Sequence, residues 1–110
     1  MGFVQQREIK FRDFDFETNT IRYFNLDSYD KNNHDCYGNV TQFTGFKDKN
    51  GVDIYEGDIM SWNHNTNIEV VFDKGKFLAK FQSTNDTNIW VNLENQSVIG
   101  NVYEKPELLR

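Results

Sequence analysis

The most informative segment of this 110-residue chain is Thr41-Gln-Phe-Thr-Gly-Phe-Lys-Asp-Lys-Asn-Gly-Val-Asp-Ile-Tyr-Glu-Gly-Asp58. Its apolar segments are short, and two sites between them require the backbone to reverse direction. Asn50-Gly51 suits the positive φ angles of a tight hairpin turn. Gly57-Asp58 makes a second sharp bend just before the apolar strand predicted over Ile59–Asn63. This spacing indicates β-strands joined by tight turns.

The rest of the chain repeats this pattern, with apolar residues alternating at period two. The clearest hairpin is predicted for Ile68–Phe72 and Phe77–Phe81 around the turn Asp73-Lys-Gly75. An earlier hairpin is predicted over residues 7–24, turning at residues 17–20. Within it Ile9 and Phe11 differ in parity from Phe14 and Phe16, which predicts a bulge near Arg12-Asp13. Pro106 predicts a short helical turn at the C-terminus.

These elements predict a mostly β protein in one compact unit. Residues 1–39 would form an N-terminal β-hairpin followed by a polar loop rich in Asn and Asp. From residue 40 to residue 110, about five strands recur at the spacing typical of a small barrel or sandwich. The length suits a single domain.

Composition narrows the function classes. The chain has 17 acidic and 12 basic residues, a formal charge of −5, and no basic stripe, which disfavours nucleic-acid binding. No apolar run is long enough for a membrane span, and the N-terminus does not resemble a secretion signal. Cys36 is the single cysteine. We therefore expect a protein of a reducing cytoplasm with no membrane partner.

Three blocks of the sequence resemble the YopX-like proteins of phages and prophages. The first is Arg7-Glu-Ile-Lys-Phe-Arg-Asp-Phe-Asp15, with Phe14 where the family usually has Trp. The second is Phe43-Thr-Gly-Phe-Lys-Asp-Lys-Asn-Gly51 with Ile54-Tyr-Glu-Gly-Asp58, and the third is Val98-Ile-Gly-Asn-Val-Tyr-Glu-Lys-Pro-Glu-Leu-Leu109. The resemblance implies a phage or prophage origin and an SH3-like barrel after an N-terminal β segment. It implies no settled biochemical activity.

Metal-binding and catalytic patterns are weak. Asp48, Asn50 and Asp53 offer oxygen ligands, but Gly51 comes too early for a calcium loop and no helices flank it. No nucleophile elbow, phosphate loop or zinc-protease helix occurs in the sequence. We predict no cofactor, no metal and no catalytic residue, and we expect a protein that is not an enzyme.

The aromatic content of 15% exceeds what a small core needs, and it indicates a surface for a protein partner or for self-association. The candidate partner surface comprises Lys47, Asn50, Tyr55, Glu56, Trp62 and Trp90. On this reading the protein is a phage accessory protein that acts as a binding or assembly module, as an oligomer or within a larger complex.

Two alternatives stay open. In the first, a small barrel binds single-stranded nucleic acid by stacking bases on Trp62 or Trp90. The cations it would use are Lys74, Lys76 and Lys80. In the second, a metal-dependent enzyme is built around His34, Asp35 and His64, with Cys36 nearby.

Overall fold

A computed structural model of the chain describes residues 8–25, 38–63, 66–81, 87–88 and 92–109. These residues form antiparallel strands with little helix. The strands are β1 (Lys10–Asp15), β2 (Thr20–Asn25), β3 (Val40–Lys47), β4 (Asp53–Tyr55), β5 (Asp58–Asn63), β6 (Thr66–Asp73), β7 (Lys76–Phe81), β8 (Thr87–Asn88) and β9 (Val98–Asn101). Two 3-10 helices cover Leu93–Asn95 and Pro106–Leu109.

The strands assemble into two sheets. One has four strands in the order β2-β1-β3-β4, and the other has five in the order β8-β7-β6-β5-β9. The predicted mostly β class is confirmed. Within the described ranges the pairings leave both sheets open, so the SH3-like barrel stays a prediction. The first sheet pairs β1 and β2 with β3 and β4, which follow residue 39. The predicted division of the chain into residues 1–39 and 40–110 also stays a prediction.

The N-terminal hairpin forms where it was predicted, but the predicted bulge near Arg12-Asp13 is wrong. Six consecutive residue pairs join β1 to β2 without a shift, from Lys10 opposite Asn25 to Asp15 opposite Thr20. The parity conflict disappears because Phe16 lies in the turn after β1 and is 60% exposed. Arg12, Asp13 and Phe14 are all buried, so β1 is covered on both faces and does not need to bend.

The hairpin of β6 and β7 confirms the strongest local prediction. Its strands pair in register from Ile68 opposite Phe81 to Asp73 opposite Lys76. Lys74 and Gly75 have φ angles of 51° and 80°, the left-handed pair that a two-residue hairpin loop of this type uses. The turn therefore fixes the register that buries Ile68 and exposes the strand end.

The main hydrophobic core is built largely from the five-stranded sheet. Its buried side chains are Ile54, Met60, Ile68, Val70, Ala79 and Leu93, of which Ile54 alone comes from the four-stranded sheet. Phe81 and Val98 pack against this cluster. The predicted C-terminal turn is confirmed as the 3-10 helix Pro106–Leu109, and the Asn67 side-chain amide donates to its Leu108 carbonyl at 2.9 Å.

Within the described ranges, no helix is long and apolar enough to cross a membrane.

Ile68 and Phe72 provide a matched test of this core, because both belong to the apolar positions of β6. Ile68 is fully buried and Phe72 is 49% exposed. We expect Ile68→Ala to lower the free energy of unfolding by about 2–5 kcal/mol. Phe72→Ala should lower it by less than about 1.5 kcal/mol, since most of its ring stays in water. Urea denaturation followed by tryptophan fluorescence measures both. Equal losses would contradict this placement of the core.

Candidate functional site: a cleft between the sheets

A cleft of about 510 Å³ opens between the two sheets. Strands β1, β2 and β4 contribute residues from one side, and β5 and β9 contribute residues from the other. The lining residues are Lys10, Arg12, Tyr23, Val52, Asp53, Tyr55, Asp58, Val98, Gly100 and Asn101. The cleft thus combines two aromatic rings with two basic and two acidic side chains.

Arg12 is the central residue of this cleft, and its side chain is only 6% exposed. Its Nε donates to the Thr41 hydroxyl at 3.2 Å, and its Nη2 donates to the Glu56 carbonyl at 3.1 Å. Nη2 also lies 2.7 Å from Oδ1 of Asp58. The guanidinium carbon lies 4.8 Å from the centroid of the Tyr55 ring, a cation–π contact. Arg12 therefore connects the first sheet to β5 of the second.

Asp58 is the acidic partner and is 2% exposed. One carboxylate oxygen faces Arg12, and the other accepts the Tyr55 backbone N–H at 2.8 Å. Burial raises the pKa of Asp58, although the Arg12 charge and the Tyr55 N–H act in the opposite direction. Both oxygens are thus engaged by donors of the protein itself.

A second ion-pair group lies at the edge of the first sheet. Asp53 accepts from Lys10 Nζ through one oxygen and from Lys47 Nζ at 2.8 Å through the other. Burial acts to raise the pKa of Asp53, but these lysine hydrogen bonds outweigh it and hold that pKa below its ordinary value. Lys10 Nζ also lies 3.4 Å from Glu8 and 4.5 Å from the Phe43 ring centroid.

Tyrosine rings form one wall of the cleft. Tyr55 is 4% exposed, and its ring meets Tyr23 edge-on at 5.7 Å and Phe43 at 5.6 Å. Tyr23 is 60% exposed and stands at the rim. Burial raises the pKa of the Tyr55 hydroxyl, so this group is protonated at neutral pH and can donate a hydrogen bond.

Asp48 holds the turn beside the cleft against β9. Its Oδ1 accepts the backbone N–H groups of Asn50 at 2.8 Å and Val52 at 2.9 Å. Its Oδ2 accepts the N–H of Val98 at 2.9 Å, which is 50 residues away in sequence. Burial acts to raise the pKa of Asp48, but these three donors outweigh it and lower that pKa. The Val52 and Val98 sides of the cleft are therefore joined.

Comparison with known proteins gives the family. The family model described as YopX protein matches residues 3–110. The chain belongs to the YopX family. The crystal structure of protein EF1440 from Enterococcus faecalis is similar, with a TM-score of 0.60 and 21% sequence identity. That match covers 93% of this chain and 98% of the other, and at this identity it shows a shared fold alone. No curated protein matches the chain in sequence.

The three blocks that resemble the YopX family meet around Arg12. The first block contains Arg12, and the second contains the Gly57-Asp58 bend. The third block closes on that bend, because the Val102 N–H donates to the Gly57 carbonyl at 2.9 Å. Gly57 has φ of +89°, and a Cβ there would lie 3.1 Å from the Tyr103 ring. Glycine is therefore required here both by backbone conformation and by close approach.

The residues of the predicted partner surface do not form one continuous surface in the structure. Lys47 pairs with Asp53, and the Asn50 side chain donates to the Ser97 hydroxyl at 3.2 Å, so both lie at the Val52 end of the cleft. Tyr55 is a buried wall residue, and Glu56 presents its carbonyl to Arg12.

The predicted tryptophans do not join that group. Trp62 is 39% exposed and packs edge-on against Phe81 at 5.3 Å, on the five-stranded sheet. Trp90 lies outside the described residues. Lys74 and Lys76 lie at the β6–β7 turn, about five residues or 16 Å along β7 from Phe81. Trp62 and these two lysines are therefore at different ends of β7, whereas the third predicted cation, Lys80, is next to Phe81 in that strand.

The candidate metal ligands are not gathered into a site. Asp48 and Asp53 direct their oxygens to different donors of the protein, and the Asn50 side chain contacts Ser97. The part of the chain that the structure describes contains no group of three His, Cys, Asp or Glu placed for a metal ion. Residues 34–36 and His64 lie outside the described residues.

Sequence reasoning missed Lys10, Arg12, Tyr23 and Asp58 as members of a site. One signal was available: Arg12 and Asp13 are charged residues between Phe11 and Phe14 in a predicted strand. Because a charge buried in a strand needs a counter-charge, such a position predicts an ion pair. The partner could not be read from the sequence, since 46 positions separate Arg12 from Asp58.

Asp58→Asn tests the pair between the sheets. The substitution leaves the Arg12 guanidinium buried without a counter-charge, so we expect the free energy of unfolding to fall by about 3–5 kcal/mol. Asp53→Asn is the matched control, because Asp53 is also ion-paired but its lysine partner Lys47 is 61% exposed. That control should cost about 1 kcal/mol. Urea denaturation at neutral pH measures the free energy of unfolding of both variants. Equal decreases would show that the buried Arg12–Asp58 pair contributes no more to stability than the exposed Lys47–Asp53 pair.

Asp48→Asn tests the hydrogen bonds through which Asp48 joins the turn to β9. It places an amide NH₂ against one of three N–H donors, and we expect a loss of about 1–3 kcal/mol at neutral pH. Because the folded-state pKa of Asp48 is lowered, its contribution is present above the unfolded pKa and is lost as pH falls through the folded pKa. The variant should therefore lose less stability than the parent between about pH 6 and about pH 2.

Thermal unfolding across this pH range measures the effect. Glu94→Gln, at an exposed carboxyl, is the control and should keep the parent's pH profile. An unchanged acid dependence in Asp48→Asn would contradict the role of this carboxylate.

Proposed function

We propose that this YopX-family protein is a phage or prophage accessory protein of the bacterial cytoplasm. It acts by holding a protein partner in the cleft between its sheets and does not catalyse a reaction. The partner is another protein or a second copy of the chain.

The state of the charged groups in the cleft is the observation that carries this proposal. Asp58 uses both carboxylate oxygens on Arg12 and on the Tyr55 N–H. Asp53 is held between two lysines. A general base or a nucleophile needs a lone pair free to react, whereas groups locked by their own neighbours give a preorganised binding surface. Asp58 has a raised pKa, as active-site groups often do, but burial accounts for that shift without a catalytic role.

The rim of the cleft supports a protein partner. Tyr23 is 60% exposed and Val52 is 48% exposed, which leaves an aromatic and an aliphatic side chain in water beside the cleft. Tyrosine is enriched in protein interfaces because it offers a rigid apolar ring and a hydroxyl. A volume of about 510 Å³ is also within the usual range for binding sites.

The finer architecture belongs to the same proposal. Of the strands after residue 39, β3 and β4 belong to the four-stranded sheet, and β5 to β9 form the five-stranded sheet. On the SH3-like reading, this sheet curls toward closure and the first sheet packs across it. The cleft is then the junction between the barrel and the N-terminal strands.

A photo-crosslinking residue in place of Tyr23 tests the proposed function. The variant is expressed in the bacterial host, irradiated, and recovered under denaturing conditions. We expect one discrete covalent adduct, because Tyr23 stands at the rim of the cleft. The same residue in place of Phe72, an exposed aromatic on the other sheet, is the matched control and should give no such adduct.

Mass spectrometry of the adduct identifies the partner, and a mass of twice the chain indicates a second copy. In that case sedimentation of the purified protein at micromolar concentration should show a dimer. Adducts that are absent at both positions, or alike at both, would contradict binding at the cleft.

A further inference from the structure

The guanidinium of Arg12 has donors that the protein does not use. An arginine side chain carries five N–H donors in a rigid fork. The Nε group is bonded to Thr41, and Nη2 serves Glu56 and Asp58. Among the described residues, Nη1 has no hydrogen-bond acceptor, although the side chain is only 6% exposed and lines the cleft. A fixed, charged and unused donor is therefore present at the cleft wall.

Two hydroxyls add to this donor set. Tyr23 and Tyr55 both line the cleft, and their rings lie 5.7 Å apart. Within the described part of the chain neither hydroxyl has a hydrogen-bond partner, so each is able to donate to a bound group. Tyr55 also holds the guanidinium plane by its ring contact at 4.8 Å. The arginine fork is thus oriented before any ligand arrives.

The carboxylate and side-chain amide acceptors of the cleft, by contrast, are already occupied. Asp58 and Asp53 accept from Arg12, the Tyr55 N–H, Lys10 and Lys47. The Asn101 side-chain oxygen accepts the N–H groups of Tyr103 and Glu104. What the cleft lacks is therefore an acceptor, and the strongest acceptor for a guanidinium is an anionic oxygen.

From this imbalance of donors and acceptors we propose that the cleft binds a single side-chain carboxylate carried by an extended segment of the protein partner. The carboxylate accepts from Arg12 Nη1 and from the Tyr23 and Tyr55 hydroxyls. Asp53, Asp58 and Glu8 already balance the charges of Arg12, Lys10 and Lys47, so the carboxylate is held by directed hydrogen bonds and not by a net positive charge, and a doubly charged phosphate is disfavoured. Tyr23 and Val52 at the rim contact the flanking residues of the segment. This inference rests on the proposed function and specifies its ligand.

An NMR titration of the ¹⁵N-labelled protein tests the ligand class. The probes are three capped pentapeptides, Gly-Thr-X-Thr-Gly, in which X is Glu, Gln or Lys. We expect the Glu peptide to shift the Arg12 Nε–H and Tyr55 amide signals in a saturable manner, with a Kd at least about tenfold lower than that of the Gln peptide. The Lys peptide should give no saturable shift. Sodium acetate and sodium phosphate are titrated in parallel, and both should bind more weakly than the Glu peptide.

Tyrosine variants locate the binding in the cleft. Substituting Arg12 would break the pair with Asp58 and endanger the fold, so the hydroxyls are removed instead. We expect Tyr23→Phe and Tyr55→Phe each to raise the Kd of the Glu peptide by about threefold to tenfold. Tyr103→Phe, a half-buried tyrosine that does not line the cleft, is the matched control and should leave that Kd unchanged.

Each contrary result has a definite meaning. Equal binding of the Glu and Gln peptides, tighter binding of phosphate, or no effect of Tyr55→Phe would overturn the carboxylate site. Acetate binding as tightly as the Glu peptide would overturn the assignment to a protein segment. A Tyr23 cross-link without carboxylate preference would overturn this inference while leaving the proposed function standing. Absence of that cross-link would overturn the proposed function itself.

Discussion

The buried ion pair of Arg12 and Asp58 joins the two sheets of this protein. Taking two charges out of water is costly, and the cost is offset only where geometry and additional hydrogen bonds are good. Here Thr41, the Glu56 carbonyl and the Tyr55 ring complete the surroundings of the guanidinium. Because the two charges belong to different sheets, the pair also fixes how the sheets face each other. The cleft is a consequence of that junction.

The second constraint is the anchoring of the Thr41–Asp58 segment at both of its turns. Asp48 ties the first turn to β9, and the Gly57 carbonyl ties the second to Val102. Both turns are thus fixed by hydrogen bonds to residues far away in the sequence. The backbone beside the cleft is consequently fixed in advance, which lowers the entropic cost of the binding proposed there.

Local patterns were sufficient for much of the fold. The turn at Lys74-Gly75 and the alternation around it gave the β6–β7 hairpin in its correct register, because the two-residue loop and the buried face agree. Alternation failed in β1, where both faces are covered and Phe16 already lies in a turn. A change in the alternation of apolar residues indicates a bulge only in a strand that has one face exposed to water. For the candidate surface, Lys47, Asn50, Tyr55 and Glu56 fell near the cleft, whereas Trp62 did not.

The β class, the turns, the YopX family and the acidic charge of this protein could all be predicted from its sequence. These properties depend on residues close together in the chain or on its composition. The contact of Arg12 with Asp58, and the hydrogen bond from the Val98 N–H to Asp48, became visible in the folded chain alone. Contacts over 46 and 50 positions leave no local trace, because a buried charge shows that a partner is needed but not which carboxylate among 17 supplies it.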